Sequence, residues 1–493
     1  MNQSTPTQLR FPTIAGLTVR ADFAGGAMST DFGALLLRGT DRQTGLIDAL
    51  ASAIRDRRHA SYIDHRLSDL LRQRVFQTAC GYADGNDANR LRHDPVFKLA
   101  AERAPLDRGN ALASGPTFSR LENGMTRRDI YRLAQAFLDA FLSSYAAAPA
   151  MIVLDMDHSE DRTHGQQELA FYNPHYRSHC YLPLFLFEGL SGKLITAVLR
   201  PGRRPTGREN AAILARVVRR LRHAWPDTHI LLRGDAHFAN PELMALCERD
   251  PRMDFLFALA GNPALTPKAG PLLERARALH AQRCANARRL GQPAPAATRL
   301  YEDVDYRAGS WSRTWRVVLK AEVMSLGNNP RFVVTSLADP APQLLYQDLY
   351  CARGQDENFI KAIKNDPASD RTCDHGFLAN HLHLPNACPV KDVLHRVTEL
   401  LYLARPPTRR LKRGPSKSSK FRRRPEDDAC VHAGKAVLAT GSKYRNPPPK
   451  AARGTSLGRA ACKCDAVERQ SETEGRPAGR AGAFMKHPGL GPC

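Results

Sequence analysis

An α/β fold is the class this sequence predicts. Three features of residues 150–261 predict it: apolar runs of strand length, one amphipathic helix among them, and carboxylates where two of the runs end. Met151-Ile-Val-Leu154 reads as the first strand and leads into Asp155 and Asp157. Tyr181 to Phe187 and Leu194 to Leu199 flank Glu188 to Lys193, where Gly189, Ser191 and Gly192 mark a turn, so these two runs form a hairpin. Arg208 to Trp225 has helical period, with Ile213, Leu214, Val217, Val218 and Leu221 on one side and Pro226 as its stop. His229 to Leu232 runs into Arg233-Gly234-Asp235, a second strand that delivers a carboxylate, and Phe255 to Leu259 is a further strand. Strand, hairpin, helix, strand describes a mixed sheet with helical cover.

Four other regions flank this one. Residues 1–149 read as mainly helical, with helical apolar spacing in Gly45 to Ile54, Leu67 to Cys80 and Ile130 to Leu142. Arg55, Arg57, Arg58, Arg72, Arg74, Arg90 and Arg92 make this a plausible DNA-contacting module, against the alternative of a solvated charged face. Residues 262–345 alternate polar and apolar residues, as in Trp315 to Lys320 and Arg331 to Thr335, and are read as a β-rich insertion. Residues 346–384 hold a helix and the end of the core. Residues 385–493 are read as a basic, low-complexity tail, disordered or out of frame, because from 406 onward 20 Lys or Arg face only 7 Asp or Glu with few apolar clusters.

The whole chain carries a formal charge of +23, which favours a polyanionic partner because each neutralised phosphate releases counterions. An Arg-writing genome accounts for such a surplus equally well, and the tail holds more than half of it. No apolar run approaches the roughly 20 residues needed to cross a bilayer, and residues 1–20 lack an apolar signal core, so a cytoplasmic protein without a membrane partner is expected. Eleven cysteines, without the even spacing of a disulfide framework, fit a reducing compartment. Cys373, His375, His381, His383 and Cys388 are of zinc-ligand type, but their spacings match neither a ribbon nor a finger.

The most informative stretch is Tyr350 to Lys364. Taken as one α-helix at about 100° per residue, it places Tyr350, Arg353, Glu357, Lys361 and Lys364 within roughly an 80° arc. Ala352, Phe359, Ile360 and Ile363 lie on another arc that can pack on a sheet. A carboxylate among cations and a phenol suits phosphoryl transfer, where the acid holds a divalent metal and the cations hold phosphates. A solvated face laced by i,i+4 pairs is the competing interpretation. The two strand-end carboxylates weigh for chemistry, since a sheet delivers such residues to one edge. Asp155 and Asp157 share a strand parity, so both can point to one face.

Tyr350, Arg353, Glu357 and Lys364 fit Y-x2-R-x3-E-x6-K, and with this the chain resembles the insertion-sequence DDE transposases of group 1. Thr40-Asp-Arg-Gln-Thr-Gly-Leu46, Cys80 to Ala88, Leu154 to Asp161, Thr163 to Glu168 and Leu232 to Phe238 add to the resemblance, which runs from about residue 10 to residue 383. It implies an RNase H-like catalytic core in which Asp157, Asp235 and Glu357 are the catalytic acids, with Asp155 as the fallback for Asp157. It also implies two Mg²⁺ or Mn²⁺ ions per site held by those acids, with Tyr350, Arg353 and Lys364 positioning phosphates. The implied partners are double-stranded DNA, as terminal inverted repeats and target, and a second copy in a homodimer. His158 and His164 are expected to hydrogen-bond near the site, and Arg203, Arg204 and Arg208 to contact DNA or solvent.

Two other functions remain open on the residues alone: an RNase H-like nuclease without strand transfer, and an inactive remnant that only binds DNA. The second draws on a departure at the end of the resemblance, where Pro385-Asn-Ala-Cys-Pro-Val390 and the basic tail stand in place of the family's long apolar helix.

Overall fold

The computed structural model describes residues 8–10, 20–22, 29–107 and 109–383. The expected tail and the departure at Pro385 lie outside the described residues. The chain divides into two units, residues 1–439 and 440–493, and the elements described belong to the first.

Residues 33–143 are helical: α1 (Gly33–Thr44), α2 (Leu46–Ala53), α3 (Leu67–Ala79), α4 (Asp87–Leu91), α5 (Pro95–Ala100), α6 (Gly115–Asn123) and α7 (Arg127–Ser143). Gly45, at φ 63°, supplies the left-handed residue that ends α1 and lets α2 begin at once. A capping box starts α7: Thr126 Oγ1 accepts from the Asp129 amide, and the Asp129 carboxylate accepts from the Thr126 amide at 3.0 Å. Arg57 closes on the same carboxylate at 2.8 Å, and Arg72 reaches both Asp41 and Asp48. Several arginines of this region are therefore tied into its own fold.

The sheet that follows is built on β1 (Met151–His158), the hairpin β2 (Leu184–Glu188) and β3 (Leu194–Val198), then α8 (Gly207–Ala224), β4 (His229–Gly234), α9 (Pro241–Glu248) and β5 (Met253–Leu259). Strand order across this part is β3-β2-β1-β4-β5. β1, β4 and β5 are mutually parallel, while the hairpin strands pair antiparallel. This is the RNase H-like mixed sheet expected from the resemblance.

Residues 262–345 add α10 (Gly270–Arg289) and three strands, β6 (Ala297–Tyr306), β7 (Trp315–Met324) and β8 (Arg331–Thr335). The strands continue the same sheet in the order β5-β8-β7-β6 and make it nine-stranded with the short Gly327–Asn328 strand. The twenty-residue α10 is a feature the β-rich expectation missed. Its sequence is mostly Arg, Ala and polar residues, and only Leu272, Ala276 and Ala287 are buried, too sparse a stripe to register as helical period.

The two faces of the sheet have different fates. Ile152, Leu154 and Met156 of β1 join Ile230 and Leu232 of β4 and Leu214, Val217 and Leu221 of α8 in one core. The odd-numbered residues face the other way. There Val153, Leu231, Leu256, Val318 and Val333 pack with Leu345 and Tyr346, which arrive from a segment running toward the helix α11 (Gln355–Asn365). Ile360 and Ile363 of α11 bury against the hairpin residues Phe185, Phe187 and Leu194 and the N-terminal helices. Among the described residues, no helix is long and apolar enough to cross a membrane.

Candidate active site

Along the odd-numbered face of β1 and β4, polarity rises toward the carboxyl ends. Val153 stands opposite Leu231, then Asp155 opposite Arg233, and one step further lie Asp157 and Asp235. Parallel pairing in this register is what brings two acids, 78 residues apart in sequence, to one sheet edge.

Asp155 is fully buried and both its oxygens are taken by Arg233, at 2.7 Å each, while Arg233 also donates to the Leu349 carbonyl at 2.6 Å. Burial raises the Asp155 carboxyl pKa, with the guanidinium opposing. Gly189 of the hairpin turn lies directly over this pair: a Cβ there would sit 2.3 Å from Asp155 Oδ2 and 2.6 Å from Arg233 Nη2. The turn glycine that the sequence marks is thus required by packing on an ion pair. The pair in turn fixes the segment that carries Tyr350.

Asp157 keeps 17% side-chain exposure and Asp235 keeps 37%. Burial pushes the Asp157 carboxyl up to about 7, with Asp356 and Asp235 adding negative charge and Arg353 opposing them. Its Oδ1 accepts from the His158 amide at 2.8 Å. Asp235 accepts from the His237 amide at 2.9 Å in the turn after β4.

The segment 350–364 is not one regular α-helix. Leu345–Tyr350 is wound as a π-helix, Cys351–Gly354 as a 3-10 turn, and α-geometry begins only at Gln355. Three different windings break the constant angular step that put Tyr350, Arg353 and Glu357 on one arc. Arg353 points inward, lies 3.5 Å from Asp157 Oδ2 and 2.9 Å from Asp356 Oδ2, and is 12% exposed. Burial works against its charge, but Asp356 and Asp157 outweigh it and raise the guanidinium above its ordinary range. Asp356 is fully buried, and burial pushes its carboxyl up to about 6, with Arg353 opposing.

Tyr350 stacks at a tilt on Tyr346, and burial raises its phenol pKa, with Arg353 opposing and Asp235 adding to the rise. Glu357, in the first turn of α11, is exposed and makes no ion pair among the described residues. Lys364 ion-pairs with Asp161 at 3.0 Å and also donates to the Glu160 carbonyl. Burial pushes the Asp161 carboxyl up to about 7, with that lysine opposing. The structure therefore gathers Asp157, Asp235, Tyr350 and Arg353, sets Glu357 in solvent at the start of α11, and ties Lys364 to a neighbouring loop.

His158 stacks on Phe238 with centroids 5.1 Å apart, and burial brings its imidazole down to about 3, so it is neutral. His164 is exposed. Arg203 pairs with Glu209 at 3.5 Å, in company with the largely buried Arg200. Two participants were missed by sequence reasoning. Asp356 was hidden beside the signature glutamate, and Arg233 was passed over as a strand residue, although its place opposite Asp155 follows from parallel pairing.

The donor chemistry of the edge fits a hard divalent cation. Two part-exposed carboxylates supply only oxygen, and Arg353 is the cation that reaches Asp157 among the described residues.

The family model described as Transposase DDE domain group 1 matches residues 11–388. The chain belongs to that family. No curated protein matches it. Among solved structures it is similar to the cryo-EM structure of the piggyBac transposase synaptic complex with hairpin DNA, at 11% identity and a TM-score of 0.37, over 84% of this chain and 81% of that one. The match to the transposase DDE domain model spans the helical region, the sheet, its added strands and α11.

Proposed function

We propose that the protein is the transposase of a bacterial insertion sequence, acting in the cytoplasm on DNA, and that it cleaves the ends of its element and joins them to a target. The observation that carries this reading is the convergence of Asp157 and Asp235 on one sheet edge beside Arg353 and Tyr350, within a chain of the DDE family. Asp157 is the first acid, because Asp155 is occupied on both oxygens by Arg233. Asp235 is the second, and the signature places Glu357 third. These three would hold Mg²⁺ or Mn²⁺, as a pair of ions that polarise the scissile phosphodiester and stabilise the leaving oxygen.

The chain's own residues perform the positioning. Arg353, held from behind by Asp356, presents its guanidinium at the carboxylate edge, where a phosphate can replace Asp157 as its partner. Tyr350 supplies a hydroxyl at the same edge, and Lys364 sets the loop at Glu160 and Asp161.

A cleft of about 480 Å³ in the helical region supports a separate DNA contact. Arg55, Arg57, Arg58, Arg92 and Arg120 line it, against Asp56 and Asp64. Arg57 and Arg58 are already paired with Asp129 and Asp56, and the remaining Arg55, Arg92 and Arg120 suit a phosphate backbone, here that of the terminal inverted repeats, which two copies of the chain would bridge. Replacing Arg55 and Arg120 by Glu is expected to weaken repeat binding. It should also lower the salt slope by about 0.9 per lost phosphate contact, measured by fluorescence anisotropy from low to moderate salt. An unchanged slope would move the contact elsewhere.

The test of function incubates the purified full chain with labelled element ends, a supercoiled plasmid and Mg²⁺. Joined product is expected. Cuts without joining would identify a nuclease, and repeat binding without Mg²⁺-dependent nicking would identify a remnant.

The raised Asp157 carboxyl gives a further expected result. Its folded-state pKa, about 7, exceeds the ordinary 3.8, so the folded protein holds an extra proton between about pH 4 and 7. The contribution of this group to stability therefore falls as pH rises through that window. In divalent-free buffer at pH 8, Asp157→Asn should be more stable than the parent by about 1–3 kcal/mol, with the difference vanishing near pH 4. Mg²⁺ should raise the melting temperature of the parent and leave that of the variant unchanged. Calorimetry showing an equal Mg²⁺ response in both would remove Asp157 from the ligand set.

A further inference from the structure

Cys373, Asp374 and His383 lie just after α11, and each offers a ligand atom within 4.8 Å of those of the other two. His383 Nε2 is 2.7 Å from Asp374 Oδ2. A fourth group faces them from another part of the fold. Glu122, in the last turn of α6, has a side chain only 8% exposed, and its Oε1 approaches His383 Nε2 to 3.9 Å. Among the described residues that oxygen has no hydrogen-bond partner, and the arginine nearest to it is Arg74 at 4.0 Å, whose guanidinium donates instead to the Tyr82 and Ala83 carbonyls.

A buried carboxylate oxygen left without a partner is expensive, and here it is aimed at an imidazole that already has an acid beside it. Thiol, imidazole and carboxylates from two separate segments are the donor types of zinc sites. With bonds of about 2.0–2.3 Å, a tetrahedral zinc keeps its ligand atoms roughly 3.4–3.7 Å apart. The group would reach that spacing by a small retreat of Asp374 from His383, an inward turn of the exposed Cys373 and an advance of Glu122, which stands outside the 4.8 Å group.

We propose that Cys373, Asp374 and His383, with Glu122 as the fourth ligand, form a structural Zn²⁺ site that staples the segment following the catalytic helix to α6 of the N-terminal helical region. The site is distinct from the carboxylate edge, which offers only oxygen. Spacing rules could not find it, because Asp374 and Glu122 are not of the Cys/His pattern and Glu122 lies more than 250 residues upstream. Of the other zinc-type residues nearby, His375 bonds to the Gln166 carbonyl at 2.9 Å, and His381 is buried and accepts from the Leu199 amide. Cys388 lies outside the described residues. Binding would displace the thiol proton to solvent, shift the His383 ring proton from Nε2 to Nδ1, and replace the His383–Asp374 hydrogen bond by two metal bonds.

The experiment compares the full chain with Cys373→Ser, His383→Gln and Glu122→Gln, each checked for native circular dichroism. Metal content is measured by mass spectrometry after dialysis against a weak chelator, and Co²⁺ is then exchanged in. About one Zn²⁺ per chain is expected in the parent beyond whatever Cys373→Ser and His383→Gln retain. A thiolate-to-cobalt charge-transfer band should disappear in Cys373→Ser, and Glu122→Gln should weaken affinity by about 10-fold or more. Equal metal content in the parent, Cys373→Ser and His383→Gln would overturn the proposal. So would a parent that neither retains zinc nor gains thermal stability when zinc is added. DNA cleavage is not a readout here, so failure of this site and failure of the transposase reading are distinguishable.

Discussion

Replacing Asp235 by Asn is expected to abolish DNA cleavage and joining, by about 10³-fold or more, while leaving the fold and repeat binding intact. That loss corresponds to about 4 kcal/mol of transition-state stabilisation, the scale of a divalent ion's contribution to charge neutralisation. Asp235 can bear the change structurally because its side chain is more than a third exposed and, among the described residues, accepts a hydrogen bond only from the His237 amide, which an amide oxygen can also accept. Asp157→Asn should behave alike in activity. The checking measurement is single-turnover nicking of labelled repeat DNA in Mg²⁺, with anisotropy as the binding control. Nicking by Asp235→Asn at near-parental rate would remove the second acid from the assignment.

Disrupting the ion pair beneath the site should cost stability first and activity second. Arg233→Met leaves Asp155 buried without its partner and strips the Leu349 carbonyl of its donor. Loss of one member of a buried pair costs about 3–5 kcal/mol. A fall in melting temperature of roughly 3–6 °C follows for a chain of this size. The double variant Asp155→Leu with Arg233→Met should recover much of that loss, since a buried pair replaced by apolar residues of similar volume is often near neutral. Activity should not return with it, because the π-wound segment loses its tie to β4 and Tyr350 and Arg353 lose their setting. Gly189→Ala tests the same point from the other side, because its methyl would enter the space of Asp155 Oδ2. A double variant with parental joining activity would show that the pair does not position the site.

Local physics made much of this protein readable before its fold was seen. Apolar runs of strand length, the turn glycines of the hairpin and the 3.6-residue stripe of α8 are each decided by a few neighbouring residues, and β1 to β5 follow from them. The common parity of Asp155 and Asp157 was equally local, since alternation is a property of any strand. What parity could not decide was which acid is available for chemistry. That depended on Arg233, brought opposite Asp155 by strand pairing, and on Gly189, brought above both.

The segment around the signature shows the same division. Its residue types point to phosphoryl transfer, but a uniform helical step does not describe it. Contacts with the sheet wind it as π, 3-10 and α in turn, so Arg353 turns inward to Asp356 and Asp157 while Glu357 stays in solvent. Helical winding, ion-pair partners and the meeting of Glu122 with His383 are properties of distant residues packed together. Sequence by itself determined which elements form and which side chains carry chemistry, because those follow from short-range periodicity and residue type. Only the tertiary structure decided which charges neutralise one another and which remain free to act, because that depends on burial and on partners that lie up to hundreds of residues away.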